Sequence, residues 1–274
     1  MAEMYLEYSP RWDAHRNHPK DFGTLPPVVD HRKNQTPVRH QKDRGTCVCF
    51  AALAGMEAVI KVQEGREVDL SEQYANWVLT SGEGKNQCDD GLRTTLAARY
   101  LSQRGVCEEV DLSYEDRNTV FAHRVTGPPP DVQHRAKFGI KEFAIIEGLG
   151  PFGRSLGNTD YLESILHNGY DIVFGMHLAW GKPDENFVYD IMLDEFGRPI
   201  PSRGGHAMLA VGYDRTGPKP FFIMKNSWGE AEGKDGYFFL SYDYVRRYAK
   251  NGFIIKSVNT NMPTARQINY GCAR

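Results

Sequence analysis

One cysteine of the chain lies where helix geometry could activate a thiol. Cys47 precedes a nearly continuous apolar run from Val48 to Val62. The run predicts a largely buried helix that ends at Gly65, with Cys47 at its first turn. The positive end of the helix dipole and a nearby imidazolium both lower the pKa of a thiol, which favours the nucleophilic thiolate. Cys47 is therefore a candidate nucleophile, although a single cysteine is more often an unreactive buried side chain.

A histidine and an asparagine in the second half of the chain could complete a catalytic set. His206 begins an apolar segment that runs to Tyr213, and Asn226 directly follows the apolar segment Phe221–Lys225. Both segments are predicted strands, because they are short and rich in β-branched and aromatic residues. Alone, such a histidine is usually structural and an Asn-Ser-Trp-Gly sequence is only a turn. Together with Cys47, they supply a nucleophile, a base and a group that orients the base.

The pattern of residue types changes near residue 130. Before it, helices are predicted over Val48–Val62, from Leu70 onward and over Leu92–Ser102. After it, strands are predicted, with one further helix at Thr159–Asn168. The predicted strands are Lys141–Ile146, Ile172–Leu178, His206–Tyr213, Phe221–Lys225, Gly236–Leu240 and Phe253–Val258. This indicates an α+β chain with an N-terminal extension (1–25), a helical part (26–130), a strand-rich part (131–258) and a polar tail (259–274).

Composition argues against several classes of function. The net charge of −2, with both signs interspersed, provides no basic surface for nucleic acid or an acidic membrane. The apolar stretches are too short to span a bilayer, and the first residues lack the features of a secretory signal. Five cysteines in 274 residues do not indicate a disulfide framework, so we expect a cytoplasmic protein. Cys47-Val-Cys49 is too tight for the usual metal spacing, and we predict neither a metal nor a cofactor.

Five short blocks occur in order from about residue 28 to about residue 258. They are Gln41…Gly45-Thr46-Cys47, Leu70-Ser71-Glu72-Gln73, Cys88-Asp89-Asp90-Gly91, Gly205-His206-Ala207…Val211-Gly212-Tyr213 and Lys225-Asn226-Ser227-Trp228-Gly229…Gly236-Tyr237. In this order the chain resembles the papain family (C1-type) of cysteine peptidases over nearly its whole length. The resemblance implies a papain-like two-lobe fold, with a helical left lobe, a β-barrel-like right lobe and the active site in the cleft between them.

The resemblance also implies roles for individual residues. The family carries a glutamine six residues before the nucleophile and a glutamate about ten residues after it, as Gln41 and Glu57 stand to Cys47. Cys49 fails both spacings and would lie inside the helix. The Gln41 amide and the Cys47 backbone N–H would form the oxyanion hole. Asn226 would orient His206, and Trp228 would shield their hydrogen bond from water.

Substrate-binding residues follow from the same alignment. Asp90 and Gly91 match a pair of glycines on the cleft wall of the family, and Gly175 matches a wall of the main specificity pocket. Gly205 and Trp228 flank the predicted catalytic residues. A carboxylate at Asp90 leads to the hypothesis that substrates with basic side chains are preferred, although an exposed loop carboxylate without a ligand contact is an equal alternative.

Departures from the family pattern concern residues next to the nucleophile. Arg44 stands where the family has a cysteine, so its usual partner position, Cys88, is expected to be a free thiol. Val48 and Glu232 replace two tryptophans. These changes are expected to alter the packing around the cleft without removing a group that the chemistry needs.

The function implied by the resemblance is hydrolysis of peptide bonds through a Cys–His–Asn acyl-thioester mechanism. The substrate and partner would be a peptide or protein. A peptide ligase or cyclase would use the same residues, because an amine can intercept the same acyl-enzyme. A non-catalytic papain-like binding domain is a further alternative, but such proteins usually lack the nucleophile or the histidine.

Overall fold

The structure is a computed structural model that describes residues 25–83, 91–117, 128–146 and 155–263. Its helices are α1 (Cys47–Glu64), α2 (Glu72–Gly82), α3 (Thr94–Arg104), α4 (Pro130–Gln133), α5 (Thr159–His167) and α6 (Tyr242–Tyr248), with a 3-10 turn at Arg32–Asn34. Its strands are β1 (Val28–Asp30), β2 (Gly139–Ile146), β3 (Ile172–His177), β4 (Val188–Tyr189), β5 (Gly205–Asp214), β6 (Phe221–Lys225), β7 (Tyr237–Ser241) and β8 (Ala249–Asn259). The predicted α+β class and the six predicted strands are confirmed.

Helix α1 has the bounds that its composition predicts. It begins at Cys47 and ends before Gly65, which adopts a left-handed conformation with φ of 67° and donates its N–H to the Lys61 carbonyl. Glycine reaches this conformation without the steric cost that a Cβ would impose. Helix α2 begins with a side-chain cap, because Ser71 Oγ accepts a hydrogen bond from the Tyr74 N–H.

The sheet places the two predicted site strands side by side. Its order is β2-β8-β3-β5-β6-β7-β4, and β1 pairs with β5. All these pairs are antiparallel except β4 with β7. His206 lies near the start of β5, and Asn226 directly follows β6, which pairs with β5. The sheet therefore brings His206 and Asn226, twenty positions apart, to the same end of two neighbouring strands.

Alternate residues of the sheet feed two hydrophobic clusters. Ala207, Leu209 and Val211 of β5 join the cluster that contains α1, whereas Met208 and Ala210 join the cluster on the other face with α5 and α6. Helix α1 approaches the first face closely, since a Cβ at Gly55 would lie 3.3 Å from Leu209 Cδ1. The small residue thus allows α1, which begins at Cys47, to pack directly against the strand that carries His206.

Two features differ from the sequence-based predictions. The short elements β1, β4, α4 and α6 were not predicted; the longest of them, α6, has only seven residues, too few for a clear periodicity. The first residues of the predicted polar tail contact the rest of the fold, because Asn259 ends β8 and the Met262 N–H donates to the Lys137 carbonyl at 2.8 Å. None of the helices in the described part of the chain is long and apolar enough to cross a membrane.

Candidate active site

The predicted nucleophile lies at the first position of α1. Cys47 is only 9% exposed, and Thr46 occupies the N-cap position before it. The Thr46 hydroxyl makes no capping hydrogen bond to the helix. The N–H groups of a first helical turn point out of the helix end and favour negative charge there. This position suits both a thiolate and an oxyanion that forms beside it.

Gln41 is fixed on both sides of its side-chain amide. Its backbone N–H donates to the Ser227 carbonyl at 2.8 Å, and its Oε1 accepts from Ser227 Oγ at 2.6 Å. Its Nε2 donates to the Arg44 carbonyl at 2.6 Å. An amide nitrogen carries two hydrogens, so the second donor of Nε2 is left for a further acceptor. These bonds attach the loop before Cys47 to the segment that carries Asn226.

His206 and Asn226 form a buried pair. His206 Nε2 lies 2.8 Å from Asn226 Oδ1. Because an amide oxygen only accepts hydrogen bonds, Nε2 carries the proton of this bond, and Nδ1 is the ring nitrogen left for proton transfer. Burial lowers the pKa of His206 to about 4, and the hydrogen bond that His206 donates to Asn226 opposes this shift in part. Above that pH the ring is neutral unless a neighbouring anion stabilises the imidazolium. A thiolate at Cys47 would be such an anion.

Two tryptophans cover this pair. The Trp228 ring lies 4.8 Å from the His206 ring, with an angle of 32° between their planes. The Trp180 ring lies 6.4 Å from His206 and 6.2 Å from Trp228. Large apolar rings exclude water, and a hydrogen bond in a drier environment is electrostatically stronger. Trp180 was not identified from the sequence, because nothing in its local sequence marks it.

The structure brings together the chain segments that carry the predicted catalytic residues. Cys47 shares a hydrophobic cluster with Ala207, the residue after His206. Gln41 is bonded to Ser227, the residue after Asn226, and His40 forms a β-bridge with Trp228. The loop before the nucleophile and the segment after β6 are therefore in direct contact, although about 180 residues separate them.

The other described cysteines are buried and have the features of inert thiols. Cys49 is fully buried inside α1, and burial raises its pKa well above the ordinary range for a thiol. Burial likewise raises the pKa of Cys107 to about 12. A thiol that stays protonated at neutral pH is a poor nucleophile. Cys88 and Cys272 lie outside the described residues.

A buried network of charged and polar side chains connects α1 to the residue before Asn226. Glu57 of α1 accepts from the Leu70 N–H at 2.9 Å and from the hydroxyl of Thr36. Lys225, next to Asn226, donates from Nζ to the Thr36 carbonyl at 2.8 Å and contacts its hydroxyl at 3.1 Å. Burial lowers the pKa of Lys225 to about 8, and the charge of Glu57 opposes that shift. Thr36 thus connects α1 to the end of β6.

The predicted substrate-binding residues fall in different environments. Gly91 is exposed and donates its N–H to the Gly45 carbonyl at 3.2 Å, and Gly205 is exposed at the start of β5. Gly175 is buried in β3, paired with Ala207, and a Cβ there would lie 2.7 Å from the side-chain oxygens of both Asn251 and Thr94. Asp90 lies outside the described residues. The surroundings of Gly175 are therefore narrow and polar.

The described residues contain no group of histidine, cysteine or carboxylate side chains that could hold a metal ion.

Comparisons with known proteins agree with this geometry. Residues 25–254 match the family described as papain family cysteine protease. Caricain from Carica papaya is 30% identical over 220 residues, which cover 78% of this chain and 55% of caricain. The crystal structure of xylellain, a cysteine protease from Xylella fastidiosa, is similar with a TM-score of 0.70 and 26% identity, covering 88% of this chain and 89% of xylellain.

A structure of the bromelain protease from Ananas comosus has the same fold, with a TM-score of 0.56 at 20% identity over 84% of this chain and 98% of bromelain. The chain spans about half the length of curated relatives such as caricain and papaya proteinase 4. The fold is that of cysteine proteases. The chain belongs to the papain family of cysteine proteases.

Proposed function

We propose that this chain hydrolyses peptide bonds with Cys47 as nucleophile, His206 as acid and base, and Asn226 as the residue that orients His206. The observation that carries the proposal is the 2.8 Å contact between His206 Nε2 and Asn226 Oδ1. This contact leaves Nδ1 as the only ring nitrogen that can exchange a proton with a thiol or a leaving group. Membership of the papain family supports the same assignment.

The proposed reaction proceeds in two halves. The thiol proton of Cys47 passes to His206 Nδ1, and the sulfur attacks the carbonyl carbon of the scissile bond. The imidazolium then protonates the departing amine, which leaves a thioester on Cys47. Water attacks the thioester with His206 as the base, and the carboxylic acid product departs as the thiol is restored. The second hydrogen of Gln41 Nε2 and the Cys47 backbone N–H would stabilise the oxyanion in both halves.

The environment of His206 supports the ion pair that this reaction needs. Without a neighbouring charge, burial keeps the imidazole neutral at physiological pH, since its pKa is about 4. A thiolate and an imidazolium stabilise each other more strongly in a site with little water than on the surface. Trp180 and Trp228 provide that shelter on the strand side.

The products of a mixed peptide library, measured by mass spectrometry, test the proposal. Hydrolysis predicts fragment pairs whose summed mass exceeds the parent by one water, and none of them from Cys47→Ala. Cys49→Ala is the matched control and should retain activity, because its thiol is buried within the helix. Joined or cyclic products without added water would indicate a ligase that uses the same acyl-enzyme. No product from the intact chain, or unchanged products from Cys47→Ala, would contradict the proposal.

A further inference from the structure

The loop from Gln41 to Thr46 carries one candidate oxyanion donor at its first residue and directly precedes the other, the Cys47 N–H. Backbone pairing in a sheet does not hold this loop. Besides the bonds from Gln41 to Ser227, the loop is held by a second loop, residues 114–117, which follows α3 after an intervening turn. We refer to these contacts as the 41–46/114–117 clasp.

Tyr114 makes the central contacts of the clasp. Its hydroxyl donates to the Gln41 carbonyl at 2.8 Å and lies 2.7 Å from Thr46 Oγ1. A carbonyl can only accept, so the single tyrosine hydrogen belongs to the bond with Gln41. The hydrogen of the Thr46 hydroxyl must therefore point to the Tyr114 oxygen. One phenol thus connects the first and the last residue of the loop.

Neighbouring residues hold Tyr114 without using its hydroxyl. Its ring meets Phe50 edge-on with centroids 5.0 Å apart, and the Arg44 guanidinium lies 5.0 Å from the ring centroid. Its backbone N–H donates to Glu109 Oε1 at 2.6 Å. Burial raises the pKa of Tyr114 well above its ordinary value, so the hydroxyl remains a donor throughout the pH range of a protein.

The Thr46 hydroxyl does not cap α1, and the Cys49 N–H donates to the Thr46 carbonyl instead, at 2.8 Å. An N-cap threonine normally accepts a hydrogen bond from the second or third N–H of its helix. Thr46 makes no such bond, and its hydroxyl is directed to Tyr114 instead. A cap that bonded its own helix would compete with an oxyanion for the first-turn donors.

We propose that Tyr114 is a positioning residue for the oxyanion hole, because its hydroxyl fixes Gln41 and turns the Thr46 hydroxyl away from the first turn of α1. The inference rests on the proposed function, since it assumes that the Gln41 amide stabilises an oxyanion. Tyr114 acts through its neighbours and has no part in proton transfer.

Tyr114→Phe tests this inference, because it removes only the hydroxyl and keeps the ring contacts. The matched control is Tyr213→Phe, whose hydroxyl also donates to a backbone carbonyl, that of Pro26, at 2.8 Å. For cleavage of a peptide anilide, we expect kcat to fall about tenfold in Tyr114→Phe, with KM changed by less than a factor of about two. Tyr213→Phe should leave kcat unchanged.

Alkylation of Cys47 by iodoacetamide separates positioning of the oxyanion hole from damage to the nucleophile. Alkylation forms no oxyanion, so its rate should be the same in Tyr114→Phe and the unmodified chain. In Tyr114→Phe the Thr46 hydroxyl is released toward the first turn of α1, so the added substitution Thr46→Val should recover part of the lost kcat. An unchanged kcat in Tyr114→Phe, or an equal loss of kcat and of alkylation rate, would overturn the inference.

The proposed function can fail separately. If the unmodified chain cleaves the anilide and Gln41→Ala loses kcat while Tyr114→Phe does not, only the role of Tyr114 is wrong. If the unmodified chain cleaves no peptide at all, the proposed function fails and the inference fails with it.

Discussion

The two halves of the candidate site are held in place by different means. The strand-side half, His206 and Asn226, lies on paired strands, where Met176 is opposite His206 and the Asn226 N–H donates to the Gly236 carbonyl at 3.1 Å. The helix-side half, Gln41 and Cys47, lies on a loop and a helix start. Single side chains such as Tyr114 and Ser227 fix that loop.

This difference predicts how each half responds to substitution. A ladder of backbone hydrogen bonds survives a change of side chain, so the strand-side half should keep its geometry in most variants. A loop held by single side-chain hydrogen bonds loses one of few restraints with each substitution. The positions of the nucleophile and the oxyanion donors therefore depend on residues outside the cleft. The position of His206 depends mainly on the sheet.

The largest expected effect removes the chemistry of the strand-side half. His206→Ala should lower kcat/KM by about ten-thousand-fold, because it removes the group proposed to accept the thiol proton and return it to the leaving amine. The free energy of unfolding should change little by comparison. His177→Ala, at the end of the neighbouring strand β3, is the control and should retain activity. Full activity in His206→Ala, measured on the same peptide anilide, would contradict its role.

The next largest effect concerns the network that connects the two halves. Glu57→Ala should lower the free energy of unfolding by about 3 kcal/mol, because the Leu70 N–H and Thr36 lose an acceptor and Lys225 loses its compensating charge. Urea denaturation measures this loss. Glu57→Gln retains an acceptor and should lose less. In a double-mutant cycle, Lys225→Met should recover part of the loss; strictly additive effects would exclude coupling.

A smaller effect is expected from loss of Trp180, one of the two tryptophans that cover His206. Trp180→Ala should admit water beside His206 and raise the pKa of its ring from about 4 toward its ordinary value, because burial is the cause of the shift. An NMR titration of His206 in a Cys47→Ala background measures this without the thiolate. Trp180→Phe keeps a ring and should shift the pKa less. An unchanged pKa in Trp180→Ala would show that Trp180 does not shelter the histidine.

The smallest expected effect is a pH dependence of the free energy of unfolding, caused by Glu109 on the helix side of the site. Burial raises the pKa of Glu109, which holds the Tyr114 N–H, to about 7. A carboxyl group with a raised pKa stabilises the fold below its unfolded pKa, and this contribution is lost as pH rises through about 7. Glu109→Gln should therefore gain stability relative to the unmodified chain between about pH 5 and pH 8. Because Glu109 is partly exposed, the gain should be about 1 kcal/mol or less.

Urea denaturation at both pH values measures the Glu109 effect. Glu108→Gln controls for the loss of one negative charge. If the difference in free energy of unfolding between Glu109→Gln and the unmodified chain does not change with pH, Glu109 does not titrate with a raised pKa.

Local patterns in the sequence predicted the elements that carry the site but not the contacts that refine it. The apolar run of α1 and the strands β5 and β6 were predicted because their residue composition is a local property of the sequence. The spacing of Gln41 and Glu57 selected Cys47 over Cys49, an assignment that stays a prediction. Tyr114 and Trp180 were missed, because their relevance comes from contacts with residues far away in the sequence. The assignments of Asp90 and of the cytoplasmic location also stay predictions.

The most direct test of the central claim is the rate of alkylation at about pH 5.5 under reducing conditions, mapped to each cysteine by mass spectrometry. Ordinary thiols are protonated and react slowly there, whereas a thiolate paired with an imidazolium reacts quickly. The account predicts rapid labelling confined to Cys47 and slow labelling of the same residue in His206→Ala. Rapid labelling of Cys49, or equally slow labelling of all cysteines in the unmodified chain, would contradict it.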